Sequence, residues 1–159
     1  MPTDKQATGA SPLWQTIVVP IDFSPASDSA FVYALKLAAM SGATVHACHV
    51  VPIPHVLDAM YERGFDPPET LKRIERKARQ HIKTLFEANN QDSTVPLRIH
   101  FSEGQAAAGV LEWATKLKPD LIVIGTHGRT GTKRFLMGSV AEAVVRRAPC
   151  PVVTIKATS

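Results

Sequence analysis

Short runs of β-branched, apolar residues alternate with helix-like patterns along the chain, and this alternation restricts the fold more than any other feature. The runs lack the two-residue period of a half-exposed strand, which indicates strands that are covered on both faces. Between the runs, apolar side chains recur every three or four residues, as they do on one face of a helix. The five predicted strands are Thr16–Asp22, Ala43–Val51, Pro96–Phe101, Asp120–Gly125 and Pro151–Lys156.

The ends of the predicted helices carry capping residues. Ser24 followed by Pro25 has the pattern of a helix start, and Gly42 is placed to end that first helix. The other helix starts are predicted at the stretch from Asp66 to Glu69 and at two capping boxes, Ser102 with Gln105 and Ser139 with Glu142.

This order of elements predicts an α/β fold. Strands that alternate with helices form βαβ units, whose right-handed crossovers place helices on both faces of a parallel sheet. With 159 residues, 45% of them apolar, the chain suits a single core. We expect a flexible tail over residues 1–14, which are mostly polar and small, and one domain over residues 15–159.

Composition and charge indicate a soluble, cytoplasmic protein. We expect no membrane insertion, because no apolar run reaches the roughly 18 residues of a membrane span and the N-terminus lacks a secretory signal. The net charge is only +4 and no aromatic residues are interleaved with the basic ones, so we expect no nucleic-acid surface. Cys48 and Cys150 lie in apolar, strand-like contexts and are expected to be free thiols.

The stretch GTHGRTGTKRFLMGS, from Gly125 to Ser139, has the chemistry of a phosphate cradle. It contains four glycines and no acid, and Arg129, Lys133 and Arg134 raise the local positive potential. Glycine lets main-chain amides approach an anion closely, and a helix that begins near Gly138 offers free N–H groups and a favourable dipole.

Two better-known phosphate loops do not fit this stretch. A P-loop needs four residues between its glycines and then Lys with Ser or Thr. Gly125 and Gly131 are separated by five residues, and Thr132 follows. The dinucleotide fingerprint Gly-x-Gly-x-x-Gly is also absent. The spacing that remains is Gly-x2-Gly-x9-Gly-Ser, at Gly125, Gly128, Gly138 and Ser139.

The glycine loop and the first strand are predicted to meet. Ligands of open α/β sheets bind beyond the carboxyl ends of the strands, where the strand order reverses. Asp22 closes the first predicted strand and Gly125 closes the fourth. If these strands are neighbours, Asp22 and the glycine loop face one crevice.

Several of these residues also have purely structural interpretations. Ser139 could act only as a helix cap, and Asp22 could form an Asx turn before Ser24. His127 is better explained as a loop histidine that bonds the backbone than as a catalytic group. Four further histidines lie in or near predicted strands and show no zinc-site spacing: His46, His49, His55 and His100.

At these motifs the chain resembles the ATP-binding branch of the universal stress protein family. The resemblance extends from about Ile17 to Lys156 and includes VPIDFS at the first strand end, HV at His49-Val50 and PDLIVIGTHGRTG before the loop. It implies a five-stranded, doubly wound, Rossmann-like fold of the adenine nucleotide alpha hydrolase type.

The resemblance also implies a set of nucleotide contacts. Asp22 matches a position for ribose hydroxyls or a metal, and the backbone of Val50 matches a position that meets adenine. The start of the helix that binds the phosphates is matched by Gly138, Ser139 and Val140. The other matching positions are Pro20, Ile124, Gly125 and Gly128. Arg129 is added as a phosphate partner because of its charge.

The function that follows is an ATP-binding regulatory module that acts in a stress response. The sequence leaves open whether ATP, ADP, AMP or a cyclic nucleotide is the resident ligand, and whether Mg²⁺ or Mn²⁺ accompanies it. The alternatives are a slow ATP hydrolase and a nucleotide-free dimeric scaffold. The terminal strand, residues 151–156, would leave a sheet edge unpaired, so we expect a homodimer through it, as the resemblance also implies.

Overall fold

The computed structural model of the chain describes residues 12–53, 62–64, 67–90, 94–127 and 137–157. Within these residues it has five strands and four helices in the predicted alternating order. The strands are β1 (Thr16–Pro20), β2 (Thr44–Val51), β3 (Leu97–Glu103), β4 (Leu121–Gly125) and β5 (Val152–Ile155). The helices are α1 (Pro25–Ser41), α2 (Pro67–Asn89), α3 (Ala106–Leu117) and α4 (Ser139–Arg147).

The strands form one parallel sheet in the order β3-β2-β1-β4-β5. From β1 at the centre, the chain winds outward through β2 and β3, then returns to add β4 and β5 on the other side. The strand order therefore reverses between β1 and β4, as in other doubly wound sheets. The predicted fold class is confirmed, and β1 and β4 are the neighbours that a shared crevice requires.

Helices cover both faces of the sheet. On one face Ile17 belongs to a buried cluster with Phe31 of α1 and Ile82 of α2. On the other face Val18 packs in a cluster with Val110 of α3 and Val144 of α4. Because successive strand residues point to opposite faces, burial on both faces explains why the strand sequences are apolar without alternation.

The first helix begins and ends where its capping residues predict. The side chain of Ser24 accepts a hydrogen bond from the N–H of Ser27, and Pro25 follows as the first helical residue. Gly42 adopts a left-handed φ of 75° and donates its N–H to the carbonyl of Ala38. The second helix begins at Pro67 as predicted, whereas its proposed cap, Asp66, lies outside the described residues.

The capping box predicted at Ser102 and Gln105 is wrong. Ser102 lies in β3, because that strand continues to pair with β2 as far as Glu103. Its hydroxyl accepts a hydrogen bond from the indole N–H of Trp113 at 3.2 Å. Gln105 occupies the cap position of α3 without a side-chain hydrogen bond.

The basic side chains of α2 face solvent. All six are exposed: Lys72, Arg73, Arg76, Lys77, Arg79 and Lys83. No helix of the described residues is both long and apolar enough to cross a membrane.

Candidate functional site

A cavity of about 260 Å³ opens at the carboxyl ends of β1, β2 and β4, where the strand order reverses. The N-terminal ends of α1 and α4 border it, and Ala106 and Val110 of α3 contribute to its wall. Crevices at this position are the usual ligand sites of doubly wound sheets.

Eight of the ten residues predicted to contact a ligand line this cavity: Pro20, Asp22, Val50, Ile124, Gly125, Gly138, Ser139 and Val140. They come from four separate segments of the chain, which the fold brings together. The other two, Gly128 and Arg129, lie outside the described residues.

Pro20 helps to open the cavity. The carbonyl of Thr16 accepts a hydrogen bond from Asp120 N–H, so alternate residues of β1, including Pro20, direct their main-chain groups toward β4. Proline has no N–H to donate, and the pairing of β1 with β4 does not extend beyond Val18 opposite Ile122. The two strands can therefore separate at their carboxyl ends.

Asp22 forms an Asx turn before Ser24, as one interpretation of the sequence allows, and it also lines the cavity. Its Oδ1 accepts hydrogen bonds from the N–H and the hydroxyl of Ser24, at 3.0 and 2.6 Å. The hydroxyl of Ser24 also lies 3.2 Å from the carbonyl oxygen of His127, which follows β4. The ends of β1 and β4 thus converge through Ser24, as predicted.

Val50 presents an open peptide edge to the cavity. The carbonyl of Val51 accepts a hydrogen bond from Gly104 N–H, so the main-chain groups of Val51 face β3. The carbonyl of Cys48 accepts a hydrogen bond from Ile21 N–H, so the main-chain groups of Cys48 face the side of β1. Main-chain groups alternate sides along a strand, and Val50 therefore also faces the side of β1. Because β1 ends at Pro20, the N–H and C=O of Val50 have no strand partner there.

The start of α4 supplies N–H donors that have no partner among the described residues. Gly138 is the cap residue, and its own N–H donates to the carbonyl of Thr126 at 2.7 Å. The first intrahelical bond runs from Glu142 N–H to Gly138 C=O. The N–H groups of Ser139, Val140 and Ala141 precede that bond and have no intrahelical partner. All three residues line the cavity, so this positive helix end faces it.

The capping box predicted at Ser139 and Glu142 is therefore wrong by one position. Ser139 is the first helical residue, and the cap is Gly138. Gly138 has an extended backbone, with φ −62° and ψ 150°, which is the usual conformation of a helix-cap residue such as serine. Ser139 is exposed on the cavity wall, and its hydroxyl is not used as a cap.

Gly125 does not adopt the positive φ that the sequence suggested, and close packing explains the absence of a side chain here. A Cβ at this position would lie 2.7 Å from the main-chain carbon of Ala26 and 2.8 Å from the nitrogen of Ser27. The missing side chain lets the end of β4 lie directly against the first turn of α1. Gly125 thereby fixes the distance between two walls of the cavity.

Sequence reasoning missed much of the cavity wall. Ala106 and Val110 line it from α3, but no local pattern shows which helix covers a crevice that distant strands form. His49 and Thr126 also line it, and both carried a signal. Each is a polar residue next to a predicted site residue, at the end of an apolar strand.

The cysteines and histidines of the described strands form no metal centre. Cys48 and Cys150 are free, as predicted. Burial raises the pKa of the Cys48 thiol to about 12, so it stays protonated where it lines the cavity. Within the described residues, no three His, Cys, Asp or Glu side chains cluster in a way that could hold a metal ion.

Fold and cavity together define a class: a doubly wound α/β protein with a cleft at its switch point and a free helix N-terminus facing that cleft. Over residues 13–156 the chain matches the model of the Universal stress protein family. The chain belongs to this family.

Two relatives agree with this assignment. Universal stress protein MJ0531 of Methanocaldococcus jannaschii is 36% identical, with 91% of this chain and 83% of the relative covered. Universal stress protein A homolog 1 of Coxiella burnetii is 34% identical, with 89% and 96% covered.

Three solved structures share the fold. Hypothetical protein MJ0577 has a TM-score of 0.77 at 20% identity, covering 92% of this chain and 99% of its own. A universal stress protein in complex with cAMP has a TM-score of 0.62 at 23% identity, covering 91% and 98%. The Archaeoglobus fulgidus universal stress protein in complex with dAMP has a TM-score of 0.64 at 21% identity, covering 91% and 99%.

Proposed function

We propose that this protein binds an adenine nucleotide, with ATP as the resident ligand, and acts as a regulatory module in a stress response. One observation carries the proposal: main-chain groups with no hydrogen-bond partner among the described residues border the cavity from two directions. The peptide of Val50 is open at the end of β2, and the first three N–H groups of α4 are open at its start. The first set suits a base, and the second suits phosphates.

The base would lie against Val50. Adenine offers a ring-nitrogen acceptor beside an amino donor on its Watson–Crick edge, and the N–H and C=O of one strand residue can pair with both. The neighbouring wall is apolar, with Val110 of α3 and Ile124 of β4. Such a wall suits the flat faces of a purine.

The phosphates would lie at the start of α4. Helix N-termini bind anions because their free N–H groups and the helix dipole both favour negative charge. The hydroxyl of Ser139 adds a donor at the same place. Arg129, which follows His127 by two positions, is proposed to add a positive charge. Gly128 is proposed to provide a close main-chain approach.

The ribose and any metal would lie near Asp22. The N–H and the hydroxyl of Ser24 donate hydrogen bonds to Oδ1 of this carboxylate. The other oxygen, Oδ2, is proposed to accept from a ribose hydroxyl or to bind Mg²⁺ or Mn²⁺ beside the phosphates. Two nucleotide complexes among the structural neighbours, one with cAMP and one with dAMP, support an adenine nucleotide in general.

Gly138→Asp tests the phosphate end of the site. Aspartate is a preferred helix cap and tolerates the backbone of Gly138, so the variant should keep the fold while its carboxylate repels the phosphates. We expect calorimetry to show ATP binding by the wild-type protein and at least tenfold weaker binding by Gly138→Asp.

The matched control is Gly138→Asn, which has the same shape without the charge. It should keep most of the affinity. Equal affinity of wild-type protein and Gly138→Asp would remove the start of α4 from the site. Product analysis of the same wild-type samples with Mg²⁺ separates binding from hydrolysis, because many turnovers per minute would favour an enzyme over a binding module.

A further inference from the structure

His49 lies beside the open peptide of Val50 and bonds the chain that leaves β1. Its Nδ1 lies 2.7 Å from the carbonyl oxygen of Ile21. A carbonyl oxygen only accepts hydrogen bonds, so this ring nitrogen carries a proton and donates it. The side chain is buried and lines the cavity, and the bond is therefore shielded from competing water.

The strand register gives the carbonyl of Ile21 a different expected partner. Pro20 lies opposite Cys48, and the N–H of Ile21 donates to the carbonyl of Cys48. In a parallel ladder, the next bond would run from Val50 N–H to Ile21 C=O. The described residues contain no such main-chain bond. The Ile21 carbonyl bonds the His49 ring in its place.

The chain around Phe23 holds this arrangement. Phe23 has a φ of 66°, a left-handed conformation that is unfavourable for a non-glycine residue and persists only where its surroundings hold it. Its ring packs on His49 with the centroids 4.6 Å apart. Phe101 contacts His49 edge-on at 6.3 Å. The imidazole is thus fixed by two aromatic neighbours.

We propose that His49 is a positioning residue for base recognition. By holding the Ile21 carbonyl, it keeps the N–H and C=O of Val50 open toward the cavity, where they select adenine. The inference rests on the proposed function, since it assumes that a purine reaches Val50. Hypoxanthine presents an N–H donor beside a carbonyl acceptor, the reverse of adenine, and mismatches both groups of this peptide. Adenine is therefore preferred, and the preference depends on His49.

Two substitutions separate the role of the donor from that of the ring. His49→Leu removes the donor and keeps apolar bulk, so the Ile21 carbonyl can pair with Val50 N–H and close the edge. His49→Asn keeps an amide N–H close to the position of Nδ1. Calorimetric titrations with ATP and with ITP, its hypoxanthine counterpart, compare both variants with the wild-type protein.

We expect the wild-type protein to prefer ATP to ITP by about tenfold or more, since hypoxanthine can form neither of the two hydrogen bonds that adenine makes with the Val50 peptide. His49→Leu should lose most of this preference through weaker ATP binding, with ITP affinity nearly unchanged. His49→Asn should retain it. If His49→Leu weakens ATP and ITP binding equally, His49 only supports the fold and the inference is overturned. The inference is also overturned if His49→Leu changes neither affinity.

Hydrogen exchange of the wild-type protein tests the inference without any variant. The Val50 amide should exchange readily in the free protein and become protected when ATP saturates the site. A Val50 amide that is already protected in the free protein would overturn the inference, whether or not ATP binds. Failure of the wild-type protein to bind ATP would instead contradict the proposed function, and binding without preference over ITP would contradict this inference alone.

Discussion

Gly125 sets how closely β4 approaches α1, and a single added carbon tests it. In Gly125→Ala, the Cβ would stand 2.7 and 2.8 Å from two main-chain atoms of Ala26 and Ser27, which cannot rotate away. We expect the free energy of unfolding to fall by about 1–3 kcal/mol, as in other overpacked sites. Denaturant titration measures it.

Two further variants show whether the clash is with main chain. Ala26→Gly removes only the side-chain contact at 2.9 Å, so it should not rescue Gly125→Ala. Gly138→Asn serves as the control glycine substitution, because its backbone suits a side chain. If the unfolding midpoint of Gly125→Ala lies at the same denaturant concentration as that of the wild-type protein, the packing explanation is wrong.

At the residue scale, the sequence predicted which residues meet but not always why. Gly125 and Ser139 were expected in the crevice, and both line it. Their spacing could not show that α1 is the neighbour that requires Gly125. Nor could it show that Gly138 takes the cap and leaves the Ser139 hydroxyl free. Those reasons depend on contacts with distant segments, which a local pattern does not contain.

At the scale of elements, two histidines link β2 to β3. Nδ1 of His46 and Nε2 of His100 lie 2.8 Å apart, and the ring of Trp113 from α3 packs on His100. Burial lowers the pKa of His46, and the charges of His100 and Arg98 lower it further. Burial and then Arg98 lower the pKa of His100. Both rings therefore resist protonation in the folded protein.

This pair predicts a loss of stability in acid. As the pH falls through the ordinary histidine pKa of 6.5, the unfolded chain takes up protons that the folded protein does not. Proton uptake by the pair therefore has no effect on the free energy of unfolding above that pH and lowers it below that pH. We expect a smaller free energy of unfolding at about pH 5.5 than at about pH 7.5. Denaturant titrations at both values measure the difference.

The control for the pH effect replaces both rings, as His46→Leu with His100→Leu. The double variant should show a weaker dependence on pH, because neither state then binds these protons. The same slope in the double variant and the wild-type protein would assign the acid sensitivity to other groups.

Element order and type could be predicted from sequence, and element ends less well. Ser24 and Gly42 mark their helix ends correctly, because capping is local chemistry. Ser102 misleads, because pairing with β2 extends β3 past the point where its apolar pattern stops. The contribution of Val110 to the cavity was also not predictable, since it depends on which helix crosses over which strands.

At the scale of the whole molecule, the winding of the chain assembles the site. Asp22 and Gly125 are about a hundred positions apart, yet both border one cavity because β1 and β4 are neighbours. The same winding leaves β5 at one edge of the sheet, paired with β4 on one side only. The outer side of β5 is therefore the candidate surface for the proposed homodimer.

The outward groups of β5 can be assigned from its hydrogen bonds. The carbonyls of Pro151 and Ile155 accept from Ile122 and Thr126, at 3.0 and 2.8 Å, so odd-numbered residues face β4. Val152 and Thr154 then direct their N–H and C=O groups away from the sheet. An open edge of this kind pairs readily with a second copy about a two-fold axis.

Thr154→Pro tests this dimer without disturbing the pairing of β5 with β4. Proline removes the outward N–H of Thr154, leaves the bonds of the odd-numbered residues to β4 in place, and is tolerated on edge strands. We expect light scattering to give a dimer mass for the wild-type protein and for Thr154→Ala, which keeps the N–H, but a monomer mass for Thr154→Pro. ATP affinity should change little, because Thr154 does not line the cavity. A wild-type monomer at micromolar concentration would refute the dimer, and a dimeric Thr154→Pro would place the contact elsewhere on the molecule.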